Sequence, residues 1–119
     1  MRILSIHVYK WIEDNSALLC CGHEISFAGY FERKVLREML NANSRLVVDR
    51  SRPGDRNAVH LEGDKGVSYV AVHPNNLAVN VTTDSEYPQR VAFGLIAEIL
   101  DDLQQLPVNY ETINRDTDI

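Results

Sequence analysis

Residues 84–103, DSEYPQRVAFGLIAEILDDL, decide how the rest of the chain is arranged. Pro88 has a fixed φ and no N–H to lose, which suits the first turn of a helix. Asp84 and Glu86 place negative charge at the positive end of its dipole. Val91, Leu95, Ile99 and Leu103 recur every four residues, and Ala92, Ile96 and Leu100 form a second row beside them. Glu98, Asp101 and Asp102 fall opposite. Gly94 and Ala97 are small enough to let the helix lie close to what it covers. Gln104, Gln105 and Pro107 end it. An apolar stripe this wide needs a sheet or another helix beneath it, so the segment reads as core.

Upstream, the chain supplies the sheet. Arg2 to Lys10 alternates, with Leu4, Ile6 and Val8 to one side and Ile3, Ser5, His7 and Tyr9 to the other, a strand covered on both faces. Glu13-Asp14-Asn15 makes a turn, and Ala17 to Cys21 is a second buried strand of the same hairpin. Tyr30 to about Arg50 reads as one long helix. Phe31, Val35, Met39, Ala42 and Leu46 share one arc of it, and Leu36, Leu40 and Val47 the adjacent one. Arg33, Lys34, Arg37, Asn41, Ser44 and Arg45 lie opposite, with Val48 an apolar exception. After the loop Ser51–Asp55 come strands at about Arg56–Glu62, Val67–His73 and Leu77–Thr83, separated by the turns Gly63–Gly66 and Pro74–Asn76. Residues 108–119 are weakly patterned and read as a frayed or truncated end. The order is ββαβββα: an α+β domain of five antiparallel strands with a helix on each face.

Composition bounds the function. A chain of 119 residues is one domain with one core. The net charge of −5 and the lack of an aromatic–basic platform argue against nucleic acid. Charge is uneven: residues 1–60 carry nine Lys/Arg against seven Asp/Glu, and residues 61–119 carry three against ten. Two cysteines without metal or redox spacing fit a reducing compartment. No apolar run reaches the ~20 residues of a membrane span, and His7 and Lys10 interrupt any signal-peptide stretch. The chain therefore reads as cytosolic.

Catalytic chemistry is sparse. His7, His23, His60 and His73 show no metal-ligand spacing, so no metal is expected. Cys20 and Cys21 sit side by side in a strand, face opposite ways and read as buried inert thiols. No G-x-S-x-G, P-loop or G-x-G-x-x-G occurs. No cofactor is expected, and the chain does not read as an enzyme. Two features stand out instead. The cluster Arg45, Arg50, Arg52 and Arg56 offers positive charge to lipid headgroups or an acidic partner. The first helix has about 180° of apolar arc, where about 100° is enough to dock on a sheet; its surplus stripe must meet something else.

Glu86-Tyr87-Pro88-Gln89-Arg90-Val91-Ala92-Phe93 resembles a run in the longin domain of the lipid-anchored, YKT-class R-SNAREs. The hairpin starting at residue 2, Leu46-Val47-Val48-Asp49-Arg50-Ser51 and the strand pair 67–73 and 77–83 resemble that class too. The resemblance covers about residues 1–105. It implies a longin, profilin-like fold over residues 1–107, with 108–119 leading to a linker or third helix. It implies a regulatory head in vesicle-mediated transport and membrane fusion. Family members carry a SNARE heptad helix with a central Arg after this domain, then a C-terminal Cys motif for prenylation and palmitoylation; neither occurs within residues 1–119. The implied partners are the protein's own SNARE segment and lipid tail, other SNAREs and trafficking factors. Membrane association would be peripheral, through the lipid anchor, with cycling to Golgi, endoplasmic reticulum or endosomal membranes. The implied contact surface is a hydrophobic groove between the first helix and the middle strand, lined by Phe31, Val35, Met39, Ala42 and Leu46 and facing Val59 and Leu61. The family often has a large aromatic where this chain has Ala42, which implies a wider or shallower groove. Two other readings remain open: a longin-type subunit of a trafficking adaptor or tethering complex, and a small thiol-dependent enzyme using Cys20 or Cys21.

Overall fold

The structure is a computed structural model and describes residues 2–13 and 15–117; Asp14 of the predicted hairpin turn lies outside them. Chain order is β1 (Ile3–Ile12), β2 (Asn15–His23), α1 (Tyr30–Asp49), β3 (Arg56–His60), a 3₁₀ turn (Glu62–Asp64), β4 (Val67–Val72), β5 (Leu77–Thr83), α2 (Gln89–Gln104) and a second 3₁₀ turn (Tyr110–Thr112). Among the described residues the strands form one antiparallel sheet in the order β2-β1-β5-β4-β3. The ββαβββα order and the helix-on-each-face sandwich are as the periodicity predicts.

β5 is the centre of the sheet, and each of its residues, LAVNVTT, is buried. Val79 and Val81 pack with Ile96, Ala92, Leu100 and Leu103 of α2. Ala78 packs with Val47 and Val48 of α1. A strand buried on both faces loses the simple alternation of an amphipathic strand. It also obliges a helix to cover each side. α2 lies over β4 and β5, whereas α1 lies over β1, β2, β5 and β4.

Three expectations need correction. In β1, Ile3, Ile6 and Val8 face α2, while Leu4, His7 and Tyr9 face α1. The register shift between Ile3 and Ser5 explains this, since a bulge moves the strand by one residue and flips the side-chain phase. In α2 the buried row is Ala92, Ile96, Leu100 and Leu103, and Val91 is exposed. Leu95 and Ile99 are half-buried, on the flank of the stripe. The cysteines do face opposite ways, but only Cys20 packs against the core; Cys21 is exposed.

The segment after α2 is held rather than frayed. Tyr110 and Ile113 pack on the α2-side core, and the Tyr110 hydroxyl donates to the Leu103 carbonyl at 2.6 Å. The chain then runs along β2: Thr117 N–H donates to Leu18 O at 2.8 Å, and Leu18 N–H donates to Asp116 Oδ1 at 2.9 Å. The strand edge is thus partly paired. At the other end of the sheet Gly66 enters β4 at φ +147°, and a Cβ there would lie 2.2 Å from the Thr83 carbonyl oxygen.

The packing ranks the α2 positions for a stability test. Ile96→Ala empties a fully buried site and should cost about 2–5 kcal/mol in urea denaturation. Val91→Ala, at an exposed position, should stay within about 0.5 kcal/mol. Equal losses at the two positions would contradict this arrangement of the core. Gly66→Ala should also destabilise, because the close Thr83 carbonyl leaves no room for a methyl group.

Candidate functional site: the outer flank of α1

Helix α1 is fixed over the sheet along one flank. Asn41 Oδ1 accepts from His7 Nε2 at 2.7 Å and from His23 Nε2 at 2.8 Å. Both imidazoles must therefore carry their proton on Nε2. One turn further on, Arg45 Nη1 donates to the Ser16 carbonyl at 2.8 Å, and its Nη2 pairs with both carboxylate oxygens of Asp116. The same guanidinium lies 5.4 Å from the Tyr9 ring centroid. These bonds tie the helix to β1, β2 and the C-terminal segment.

With that flank anchored, the residues facing the sheet are Leu40, Ser44, Val47 and Val48. Val48, the apolar exception on the helical wheel, is fully buried. The sheet below is partly polar. Asn80 Nδ2 donates to Ser68 Oγ at 2.6 Å and to the Tyr69 carbonyl at 3.0 Å, and all of this is buried. Ser5, His7, Ser44 and Thr82 are buried in the same layer, with Ser5 Oγ and His7 Nδ1 lacking a hydrogen-bond partner among the described residues.

The opposite flank is therefore the apolar one, and it points outward. Phe31 is 82% exposed and Val35 68% exposed, and Met39, Ala42 and Leu46 continue the row in the open. In the first half of the helix most residues are exposed, and Leu36 and Leu40 pack with Leu4 and Ile25. A groove of ≈ 520 Å³ runs beside this half, lined by Phe27, Ala28, Phe31, Glu32, Val35, Leu36, Met39 and Lys65.

Of the residues predicted for a groove, Phe31, Val35 and Met39 line it. Ala42 and Leu46 lie further along the same helix flank, outside the lining. Val59 and Leu61 are not part of it either. β3 is the edge strand and not the middle one, because β1 inserts beside β5 and pushes the β3–β4–β5 meander outward. By register Val59 pairs with the buried Ser68 and so shares the α1 face of the sheet; it is exposed there, and Leu61, two residues on, is half-buried. Phe27, Leu36 and Lys65 were not anticipated. Phe27 had a signal, since 27, 31, 35 and 39 are one four-residue row continued back into the loop. Lys65 had none, because only folding brings its turn to the helix.

The arginine cluster disperses. Arg45 is engaged with Ser16 and Asp116, and Arg56 lies over the Phe93 ring on the α2 face, 4.6 Å from its centroid. Arg50 and Arg52 are exposed at the end of α1 and in the loop beyond. The four arginines do not form one surface. Among the described residues no cluster of His, Cys, Asp and Glu could hold a metal ion, and no helix is long and apolar enough to cross a membrane.

The His7 imidazole is buried, which holds its pKa below the ordinary 6.5; the bond to Asn41 opposes this, and His23 and Arg45 add to it. The unfolded chain then binds the proton more readily than the folded one. Stability should be intact above pH 6.5 and fall as pH drops from there toward the lower folded value. His7→Gln keeps an N–H donor without a titration, so the loss between pH 7 and about pH 5 in urea melts should shrink. An unchanged acid slope in that variant would acquit His7.

No family model matches the chain. It is similar to several curated proteins along most of its length, three of which follow. A putative synaptobrevin homolog YKT6 of Dictyostelium discoideum is 33% identical over 107 residues, 89% of this chain and 53% of the relative. The VAMP-like protein YKT61 of Arabidopsis thaliana is 31% identical over 107 residues, 88% and 52%. The synaptobrevin homolog ykt6 of Schizosaccharomyces pombe is 30% identical over 102 residues, 86% and 51%. The chain thus spans about half the length of these relatives.

Proposed function

We propose, for a chain that belongs to the longin domains of the YKT-class R-SNAREs, that it acts as a regulatory head in vesicle-mediated transport and membrane fusion. In a chain as long as its relatives, the outer flank of α1 would receive the protein's own SNARE segment or lipid tail. The observation that carries this is the apolar row at 31, 35, 39, 42 and 46, which the domain's own sheet leaves uncovered. A row of that kind is unfavourable in water and is stabilised when an amphipathic helix or an acyl or prenyl chain covers it. Each CH₂ of a lipid chain buried there contributes about 0.8 kcal/mol, so partial burial would hold a tail closed. In that role the further partners are other SNAREs and trafficking factors. Membrane attachment is peripheral, with cycling between the cytosol and Golgi, endoplasmic reticulum or endosomal membranes. The relatives' names support a SNARE over an adaptor subunit or a thiol enzyme.

Ala42 separates the function of the apolar flank from folding. It is exposed on the apolar flank, so Ala42→Glu should leave the melting temperature of the isolated domain unchanged. In the full-length protein the carboxylate would have to lose its water when the tail docks, at a cost of several kcal/mol if unpaired. Small-angle scattering should then show an extended variant beside a compact wild type in the presence of lipid. A variant as compact as wild type, with resonances of the α1 flank undisturbed by lipid, would remove this surface from the mechanism.

A further inference from the structure

The first turns of α1 carry a second surface, apart from the groove. Tyr30 is 78% exposed and Phe31 82%, and their rings meet edge to face at 5.3 Å. They border a surface depression whose other lining residues are Arg33, Lys34 and Arg37. Among the described residues no ion pair or side-chain hydrogen bond engages these three cations. Phe27, 53% exposed, extends the aromatic group, and Arg2 lies over its ring at 4.6 Å from the centroid. Lys65 lines the groove together with Phe27 and Phe31.

The local charge runs against that of the molecule. Arg33, Lys34 and Arg37 line one depression and outnumber Glu32 and Glu38 of the same helix turns, on a chain whose net charge is −5. The positive end of the helix dipole lies at this end, where Gly29 supplies no side-chain cap and Glu32 is the acidic residue of the first turn. Aromatic rings protruding beside unpaired cations match the two layers of a membrane interface. Rings settle at the boundary of headgroup and acyl chain, and cations meet the phosphates. A site for an acidic peptide would bury its rings against the peptide's anchor groove, whereas Tyr30 and Phe31 keep most of their surface in solvent at the rim of the depression.

We propose that the N-terminal end of α1 is a contact surface for an anionic lipid bilayer. The contact uses Tyr30, Lys34 and Arg37, none of which lines the groove, and does not depend on what fills it. Because Phe31 borders both surfaces, a bilayer held here would lie at the groove mouth.

The test is cosedimentation of the 119-residue chain with vesicles of phosphatidylcholine alone or with about 30% phosphatidylserine, at low and high salt. Binding is expected only with phosphatidylserine, falling at least about tenfold between 0.05 M and 0.5 M salt. Lys34→Glu with Arg37→Glu, both at exposed helix positions, should lose about tenfold or more at low salt. Tyr30→Ser should weaken binding about severalfold at either salt, since a ring contact is not screened. Arg50→Glu with Arg52→Glu, and separately Ala42→Glu, should bind as wild type does. Loss in the Ala42→Glu variant alone would place the lipid on the apolar flank of α1 around Ala42 and overturn the proposal. So would absence of wild-type binding, unchanged binding by the charge-reversed helix variant, or an equal loss from the Arg50 and Arg52 change.

Discussion

Asn41 Oδ1 accepts from two imidazoles at once, and that shared acceptor sets the rotation of α1 over the sheet. Arg45 repeats the restraint one turn later through Ser16 and Asp116. Apolar burial alone would turn the helix to put its richest row, Phe31 to Leu46, against the sheet. The observed helix sits with Ser44 and Val48 inward and that row outward. Hydrogen bonds are directional, whereas apolar contact is non-directional, so these part-buried and exposed bonds select one rotation among those that bury Leu40, Val47 and Val48. The polar flank therefore decides the phase, and the uncovered row is its consequence.

The layer under α1 suits this arrangement. Ser68, Asn80 and Thr82 bring hydroxyl and amide groups to the sheet surface where a helix would ordinarily meet aliphatic side chains. On the other face Val79, Val81, Ile96 and Leu100 form a conventional core. The two helices consequently do different work. α2 carries hydrophobic stability; α1 is positioned by polar contacts and keeps its apolar flank available. The C-terminal segment joins the two faces, because Tyr110 and Ile113 pack on the α2 side while Asp116 reaches Arg45 on the α1 side.

That division also explains how charge is laid out. The acidic residues Glu98, Asp101 and Asp102 lie on α2, and Lys34 and Arg37 are exposed on the first half of α1. Opposite charges at the two helices give the domain an electrostatic polarity that orients it at an anionic surface, with the effect confined to about a Debye length.

Periodicity in the sequence determined the element types, their order and their boundaries to within about two residues. Val91–Leu103 and Tyr30–Asp49 keep a 3.6-residue period over several turns, and the strands are bounded by Gly, Pro and Asn turns, so local patterning and chain geometry agree. It also revealed that α1 carries more apolar arc than a sheet contact uses. The tertiary structure alone decided which arc stays outside, because that depends on His7, His23 and Asp116, which are distant from α1 in sequence and have no pattern of their own. It alone decided that β3 is an edge, since strand order depends on which neighbour β5 takes. It scattered Arg45, Arg50, Arg52 and Arg56, which closeness in sequence had suggested as a cluster. A loop joining a helix to a strand sends its two ends to different faces of the molecule, and no local spacing records that.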